Sequence, residues 1–367
     1  MKEWTTYHLE DICKEILSGG DAAKYDCVKA KSDTYKYPVF ANAIDEDGLY
    51  GYCNDYVVNV PSVTIAARGA GTGYVAYRDT PYTPIVRLIS LIPKENVNPL
   101  FLYYRLKIAN LRGDGSAIPQ LTVPMVKKLK VTLPDHETQK TIADILRSLD
   151  VKIQLNKQIN DNLEQQASSL LSDWISTYPC RTYKLSDICK YANGKCETGN
   201  LTPQNYISTE NMLPNKKGIV EASNIPTGKA TCFKVDDILI ANIRPYFQKI
   251  WKADINGGCS ADVLCIRANI ESHSPILYWL LHQDAFFEYV MTGAKGCKMP
   301  RGDKQHIMNW STDLPEVQYW ADLATQLGSI DQQIAYNRIE SINLSNLRDT
   351  LLPKLMSGEI KINEIDC

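Results

Sequence analysis

The nine residues Thr-Tyr-His-Leu-Glu-Asp-Ile-Cys-Lys at positions 6–14 recur at positions 182–190 as Thr-Tyr-Lys-Leu-Ser-Asp-Ile-Cys-Lys. The two copies share seven identical residues at an offset of 176. The same offset aligns residues 98–103 with residues 274–279, where a polar residue precedes a proline and an apolar helical segment. The chain therefore contains an internal repeat, and the repeat divides it into equivalent parts.

From residue 115 onward the repeat continues at an offset of 181, and it aligns Leu133-Pro134 with Leu314-Pro315 and Asp150 with Asp331. The pattern predicts two copies of one unit, each a lobe followed by a long helix. The predicted boundaries are a lobe at 1–134, a central helix at 135–179, a second lobe at 180–312 and a C-terminal helix at 313–367.

Both predicted helices carry an apolar seam with alternating spacings of four and three residues, which is the pattern of a coiled coil. Asn156 and Asn337 occupy the same seam position in the two copies. A buried asparagine penalises slipped registers, so we assign these two residues to the register of the helix pair. At ~1.5 Å per residue the helices would be rods of roughly 50–60 Å. The seam residues are Ile142, Leu146, Leu149, Ile153, Asn156, Asn160, Leu163, Ala167 and Leu170, and then Leu323, Leu327, Ile330, Ile334, Asn337, Ser341, Leu344, Arg348 and Leu351.

The lobes have mixed composition, with strand-like apolar runs separated by glycine-rich turns and one apolar helix in each. We expect an α+β fold with two mixed α/β lobes in a pseudo-twofold repeat, and the two long helices packed against each other. The middles of the lobes resemble each other in pattern but not in residues, as expected if they recognise different targets. The predicted strands are 56–60, 63–67, 85–89, 237–241 and 263–266.

The net charge of −2 conceals a division of charge along the chain. The first lobe carries +2 and the second +4, whereas the central helix carries −3 and the C-terminal helix −5. Because DNA affinity depends on local neutralisation of phosphates, basic lobes suit nucleic acid and acidic helices suit a protein partner.

Several classes of protein are disfavoured. No apolar run reaches the ~18–20 residues of a membrane span, and the start lacks the apolar core of a signal peptide, so we expect a cytoplasmic protein with no membrane partner. The eleven cysteines include no Cys-x-x-Cys pair and no zinc-finger spacing to histidine, and we expect them to be reduced. The sequence contains no phosphate-binding loop, catalytic triad or predicted metal site.

One pattern resembles a metal-dependent nuclease, namely Pro134-Asp135 followed by Asp150-Val151-Lys152. Such a site needs its carboxylates within reach of one metal ion. On a helix these two carboxylates would lie more than ~20 Å apart, and the second repeat does not preserve the pattern. We therefore assign no nuclease site.

Several motifs resemble those of type I restriction–modification specificity subunits. The most specific is Leu347-Arg348-Asp349-Thr350-Leu351-Leu352-Pro353-Lys354-Leu355-Met356-Ser357-Gly358-Glu359-Ile360 at the end of the C-terminal helix. Residues 115–121 with 133–134, residues 206–212, and residues 236–246 with 257–260 are similar to other family motifs. The first lobe lacks the motif found at 206–212. Its residues 37–42 and 48–52 resemble another subtype of the family's target-recognition domain. The pair after Leu-Pro, typically Glu-Gln in the family, is Thr138-Gln139 in one copy and Tyr319-Trp320 in the other.

The resemblance implies a non-catalytic subunit in which two target-recognition lobes are separated by two antiparallel helices. Each lobe would recognise one half of a bipartite double-stranded DNA site, and the helix pair would set the gap. The helices would dock two methyltransferase subunits, which bind S-adenosylmethionine, and motor–nuclease subunits would bring ATP and magnesium. The chain itself would hold no cofactor and no metal.

Polar and basic residues in the lobe loops are the candidate DNA contacts, because Arg and Asn make paired hydrogen bonds to base edges and Lys contacts phosphates. Among them, Arg244 with Pro245 and Tyr246 follows a predicted strand directly. The candidates are Arg68, Arg78, Lys195, Asn211, Arg244, Tyr246, Lys249, Lys298 and Arg301.

Three alternatives remain open at this stage. In the first, the chain is a coiled-coil scaffold whose lobes bind protein or carbohydrate. In the second, it is the specificity subunit of a defence system that only methylates. In the third, it is a nuclease or methyltransferase in its own right. The target DNA sequence is not readable from the residues.

Overall fold

The computed structural model describes residues 4–69, 71–109, 111 and 120–360. It divides into two compact units, the first formed by Met1–Ile153 with Ile342–Cys367 and the second by Gln154–Ser341. Each unit contains one lobe together with part of each of two long helices.

Within its described residues, the first lobe combines ten strands with three short α-helices. Asn98 caps the second of these helices by accepting hydrogen bonds from the backbone N–H groups of Leu100 and Phe101, and Pro99 occupies its first position. The elements are β1 (Thr5–His8), α1 (Leu9–Ile12), β2 (Cys13–Ser18), β3 (Cys27–Val28), β4 (Tyr37–Phe40), β5 (Leu49–Cys53), β6 (Ser62–Ile65), β7 (Val75–Arg78), β8 (Thr83–Pro84), β9 (Ile89–Pro93), α2 (Pro99–Lys107), α3 (Val123–Lys127) and β10 (Lys130–Leu133).

The first long helix, α4 (His136–Thr177), leads into the second lobe, and the second long helix, α9 (Trp320–Ser357), follows that lobe. The elements between them are β11 (Cys180–Lys184), α5 (Leu185–Ile188), β12 (Cys189–Tyr191), β13 (Lys195–Glu197), β14 (Tyr206–Ile207), β15 (Lys229–Phe233), β16 (Ile238–Ala241), β17 (Ile250–Lys252), β18 (Gly257–Cys259), β19 (Val263–Ala268), α6 (Ser274–Leu281), α7 (Asp284–Thr292), α8 (Lys304–Met308) and β20 (Ser311–Pro315).

The two lobes share the topology of their main sheet, but their smaller sheets differ in strand order. Each has a four-stranded main sheet, ordered β2-β9-β6-β7 in the first lobe and β12-β19-β16-β17 in the second. Each also has a smaller four-stranded sheet, β3-β5-β4-β8 or β13-β15-β18-β14, and an antiparallel pair, β1-β10 or β11-β20. The predicted α+β class, with two sheet-containing lobes and long helices, is confirmed.

Each lobe buries its main sheet against its own stretch of the long helices. In the first unit Ile65 and Leu91 of the sheet belong to one apolar cluster with Leu146 of α4 and Leu355 of α9. In the second unit the corresponding cluster joins the sheet to Ala167 and Leu171 of α4 and to Trp320 and Leu327 of α9. Burial of this apolar surface attaches each lobe to its helices.

The long helices contact each other within each unit, and in the second unit these contacts show that they are antiparallel. In the first unit Asp150 of α4 accepts a hydrogen bond from Arg348 of α9 at 2.7 Å. In the second unit Asn160 donates to the carbonyl of Ile334 at 3.3 Å, and Trp174 donates to the carbonyl of Tyr319 at 3.0 Å. In the second unit, residue numbers on α9 fall as those on α4 rise, as the family resemblance implied.

Some predicted boundaries differ from those observed. The second long helix begins at Trp320 rather than at residue 313, because Ser311–Pro315 pairs as β20 with β11. Residues 361–367 of the predicted helix, and residues 115–119 of the family motif, lie outside the described residues.

Two predicted strands are also corrected. Residues 56–60 make only an isolated bridge, between Val58 and Tyr82. Within 85–89 the strand begins only at Ile89, because Val86 and Arg87 form a turn with φ of +51° and +62°. Left-handed backbone of this kind cannot continue a strand.

Candidate nucleic-acid interface

Both lobes have the same backbone bridge where a central strand of the main sheet ends. After β16, Ile243 bridges Arg301, and the N–H of Gly302 donates to the carbonyl of Asn242 at 3.1 Å. After β6, Arg68 bridges Gln120, and the N–H of Leu121 donates to the carbonyl of Ala67 at 2.9 Å. We call these contacts the strand-end bridges, and each one holds the loop after a buried strand against the segment that leads into α3 or α8.

The loop after the bridge in the second lobe is Arg244–Lys249. Arg244 has φ of +52° and its N–H donates to the carbonyl of Pro300 at 2.7 Å. A 3₁₀ turn at Pro245–Phe247 follows, and Gln248 is again left-handed at +49°. Left-handed backbone is unfavourable for such residues, and conformations of this kind concentrate at functional sites.

This loop projects a cation and two aromatic rings into solvent. The side chain of Arg244 is exposed, and Tyr246 and Phe247 are 49% and 37% exposed with ring centroids 4.7 Å apart. The backbone N–H of Asn215 donates to the carbonyl of Phe247 at 2.8 Å, which fixes the loop from its other side. The loop backbone is therefore fixed by hydrogen bonds while its side chains are exposed, and a contact that recognises a base requires such a rigid support.

Two further predicted cations lie beside the loop. Arg301 forms the strand-end bridge, and its guanidinium is 3.1 Å from the carboxylate of Asp262 in a largely exposed ion pair. Lys298 is exposed two residues before Pro300, whose carbonyl accepts from Arg244. The structure thus brings Arg244 and Tyr246 together with Lys298 and Arg301, which lie more than fifty positions further along the chain.

Lys249 is half-buried at the end of the same loop. Its Nζ donates to the carbonyl of Thr209 at 2.6 Å, and burial lowers the pKa of its ammonium group. It ties this loop to the turn that contains Asn211. Lys195 lies elsewhere, on the edge strand β13 of the small sheet, where its Nζ donates to Thr231 at 3.0 Å.

Asn211 has a structural role, which corrects its assignment as a DNA contact. Its side chain is 4% exposed and donates to the carbonyls of Tyr206 at 3.0 Å and Val220 at 2.9 Å. Its carbonyl oxygen accepts from the N–H and hydroxyl of Ser208. These bonds use the donors and acceptors of the amide, so it has none to offer a base edge.

Arg78 in the first lobe is corrected for a similar reason. It is 6% exposed, its Nε donates to Thr64 at 3.1 Å, and its Nη2 donates to the carbonyl of Asp47 at 2.6 Å. Its guanidinium stacks 3.5 Å from the ring centroid of Phe40, and burial lowers its pKa. Arg68 is exposed by contrast, with its Nη2 donating to Gln120 at 2.9 Å.

The first lobe also carries exposed basic and aromatic side chains that the sequence-based selection missed. Lys29 lies 4.0 Å from the ring centroid of Tyr50, and Lys36 lies 5.1 Å from that of Tyr37. Arg87 is exposed in the left-handed turn before β9. Residues 24–37 are rich in lysine and tyrosine, and this pattern is the signal that would have located Lys29 and Lys36.

The two seam asparagines are buried in the second unit, with 1% exposure at Asn156 and 3% at Asn337. Asn156 donates to Glu340 at 2.7 Å, and Asn337 donates to the side-chain oxygen of Asn160 at 2.8 Å. The contacts join α4 to α9. The register role assigned to these residues stays a prediction.

Within the described ranges, no three His, Cys, Asp or Glu side chains are grouped as a metal site would require. None of the described helices is both long and apolar enough to cross a membrane. The cysteines that the structure describes are free thiols.

Comparison with known proteins places these observations in a family. A family model described as the type I restriction modification DNA specificity domain matches residues 1–165. A Mycoplasma pneumoniae protein named as the C-terminus of a type I specificity subunit is 40% identical over 98 residues, which are 27% of this chain and 67% of that protein. The chain belongs to the family of type I restriction–modification specificity subunits, which confirms the resemblance seen in its motifs.

Other relatives extend the similarity along the chain. Another M. pneumoniae type I specificity subunit is 38% identical over 148 residues, covering 40% of each chain. The MjaIX specificity subunit of Methanocaldococcus jannaschii is 24% identical over 81% of this chain and 77% of its own. A further M. pneumoniae type I specificity subunit is 36% identical over 153 residues, which are 45% of that protein, so the chain spans less than half the length of these last two M. pneumoniae relatives.

A solved structure agrees with the fold. The crystal structure of a type I restriction-modification system S subunit from M. genitalium superposes with a TM-score of 0.62, at 17% identity and with 96% of both chains covered. At this identity the likeness bears on the fold alone.

Proposed function

We propose that this chain is the non-catalytic DNA-specificity subunit of a type I restriction–modification complex. Each lobe recognises one half of a bipartite double-stranded DNA site, and the pair of long helices separates the halves. The observation that carries this proposal is the strand-end bridge, which occurs in both lobes and in the second lobe presents Arg244, Tyr246 and Arg301 together. The names of the relatives support the same function.

The division of charge supports an assignment of partners to parts of the chain. The lobes carry +2 and +4, which favours contact with phosphates, and the helices are acidic. The helices dock two methyltransferase subunits, which bring S-adenosylmethionine. Motor–nuclease subunits bring ATP and magnesium in a system that also restricts, whereas a methylation-only system lacks them.

Within the second lobe, Arg244 is the proposed base contact and Lys298 a proposed phosphate contact. A guanidinium can donate two hydrogen bonds to one guanine edge, whereas an ammonium acts as a point charge. In the first lobe, Arg68 is the corresponding candidate, with Lys29 and Lys36 as further phosphate contacts.

Substitution of Arg244 tests the proposal at one base pair. In a complex of this chain with its methyltransferase subunits, Arg244→Ala should cost ~1–3 kcal/mol of discrimination at one position of one half-site. The methylated motif, determined by sequencing the modified genome, should become degenerate at that position and stay intact in the other half.

Arg181→Ala is the matched control, because Arg181 is exposed on β11 of the same lobe and outside the loop. It should leave the motif unchanged. An unchanged motif in the Arg244→Ala complex would show that Arg244 does not recognise a base.

A further inference from the structure

Asp150 and Asp331 are equivalent residues of the internal repeat, and each lies on a long helix where a lobe packs against it. Asp150 belongs to α4 and to the first unit, and Asp331 belongs to α9 and to the second unit. Their side chains are mostly buried, with 21% and 10% exposure. Sequence patterns alone connected Asp150 only with a nuclease motif, and the structure gives it a different set of contacts.

Each carboxylate uses one oxygen for an aromatic donor of the lobe. Asp150 Oδ2 accepts from the hydroxyl of Tyr104 on α2 at 2.5 Å, and Asp331 Oδ1 accepts from Nε1 of Trp279 on α6 at 2.8 Å. The helices α2 and α6 are themselves repeat equivalents. Burial, followed by the hydrogen bond to Asp150, raises the pKa of Tyr104 far above its usual range, so the hydroxyl remains a donor.

Each carboxylate uses its other oxygen for a cation. Asp150 Oδ1 accepts from Nη1 of Arg348 on α9 at 2.7 Å. Asp331 Oδ2 accepts from Nζ of Lys252 on β17 at 2.7 Å, and the same ammonium lies 2.8 Å from Asp236. The repeat thus conserves an aromatic–carboxylate–cation arrangement although the cations come from different elements.

The geometry of these hydrogen bonds allows them to fix the orientation of each lobe on its long helices. An apolar cluster is non-directional and permits small rotations, whereas paired charge-assisted hydrogen bonds fix an angle as well as a distance. In each unit the bonds connect a lobe helix to a long helix, and in the second unit they also include the main sheet through Lys252. The carboxylates therefore restrict how each lobe is oriented on its own helices.

We propose that Asp150 and Asp331 are positioning residues that fix each lobe on the helix pair of its own unit, and so limit the gap lengths over which both half-sites are recognised. This inference rests on the proposed function. One base pair changes the separation of the half-sites by ~3.4 Å and their relative rotation by roughly 35°. A lobe held only by apolar packing would tolerate that change more readily than a lobe held by both carboxylate bonds.

The test is the gap preference of the complete methyltransferase complex carrying Asp150→Asn, Asp331→Asn or both. Genome-wide methylation is measured at sites whose half-sites match but whose gap is one base pair shorter or longer than that of the wild-type motif. Loss of one charge-assisted bond should raise the ratio of off-gap to correct-gap methylation by about tenfold. The double variant should show the larger increase.

Exposed aspartates on the same helices, Asp144 on α4 and Asp322 on α9, provide matched controls as Asp144→Asn and Asp322→Asn. These should keep the wild-type ratio. Tyr104→Phe removes only the aromatic donor, and Trp279→Phe removes the donor together with part of the buried indole ring. These variants replace the aspartate variants in the assay if thermal unfolding shows that those do not fold.

The possible failures are distinguishable. If the folded variants lose total methylation but keep the wild-type gap ratio, the aspartates only stabilise the fold and the positioning role is wrong. If the wild-type complex methylates no two-part motif at all, the proposed function is wrong and this inference is overturned with it.

Discussion

At the scale of single residues, His282 shows how burial in the second lobe controls charge. It lies just after α6, with its ring centroid 5.3 Å from that of Tyr278 and 5.0 Å from that of Trp279. Burial, followed by the positive charge of Lys216, lowers the pKa of His282 to about 3, and Asp284 opposes the shift. The imidazole is therefore neutral in the folded protein near pH 7.

This burial predicts a loss of stability in mild acid. An unfolded His282 binds a proton below its usual pKa of 6.5, whereas the folded one does not until about pH 3. The unfolded state thus binds more protons in this window, and the free energy of unfolding falls as the pH drops from 6.5. The loss should be ~1.4 kcal/mol per pH unit, or about 2 kcal/mol at pH 5.

The measurement is urea unfolding of the wild type and of His282→Phe at pH 7.5 and pH 5. Glu164 has a pKa raised by burial to about 7, which gives the opposite dependence between pH 4.5 and 7. That contribution is common to both proteins, so the difference between them isolates His282. Equal pH dependence in the two proteins would contradict a neutral buried imidazole.

The residue types of the interface were predictable, but their exposure was not. Arg78 and Arg244 both follow apolar strand sequences, yet Arg78 is buried because Phe40 and the carbonyl of Asp47 enclose it. Those partners lie more than thirty positions away in the chain, and no local pattern identifies them. Asn211 was likewise chosen for its amide, whose hydrogen bonds are taken up by the turn that it closes.

At the scale of elements, the long helices were the most predictable feature, because a heptad pattern sustained over four turns or more overrides local ambiguity. Short strands were less predictable from the sequence. Residues 85–89 have the composition of a strand, but two left-handed residues turn the chain there. The start of α9 moved because tertiary pairing of β20 with β11 takes precedence over the helical pattern.

The buried asparagines predict a measurable contribution to the helix pair. Asn337 accepts from Gln333 at 2.8 Å and donates to Asn160 at 2.8 Å, so Asn337→Ala removes both hydrogen bonds and leaves the side-chain oxygen of the half-buried Asn160 without this donor. Such a loss costs about 1–3 kcal/mol. Chemical unfolding should show this decrease, and Asn343→Ala, at an exposed position of α9, should change stability by less than about 0.5 kcal/mol. A change at Asn337 no larger than at Asn343 would contradict a structural role for the seam amide.

At the scale of the whole molecule, the internal repeat determines what the chain offers to its partners. Two lobes with the same main-sheet topology carry equivalent strand-end bridges, but different side chains follow those bridges. The sequence showed the repeat directly. It did not show which residues converge, because long-range backbone contacts bring Arg244 beside Lys298 and Arg301. These contacts are the bridge of Ile243 with Arg301 and the hydrogen bond from the N–H of Arg244 to the carbonyl of Pro300.

The central claim is that this chain gives a methyltransferase complex its specificity for a bipartite DNA site. The most direct test is methylome sequencing of a methylation-deficient host that expresses the methyltransferase subunits with and without this chain. We predict a single motif of two half-sites at a fixed gap, methylated only when the chain is present. Methylation that does not depend on the chain, or a continuous motif without a gap, would contradict it.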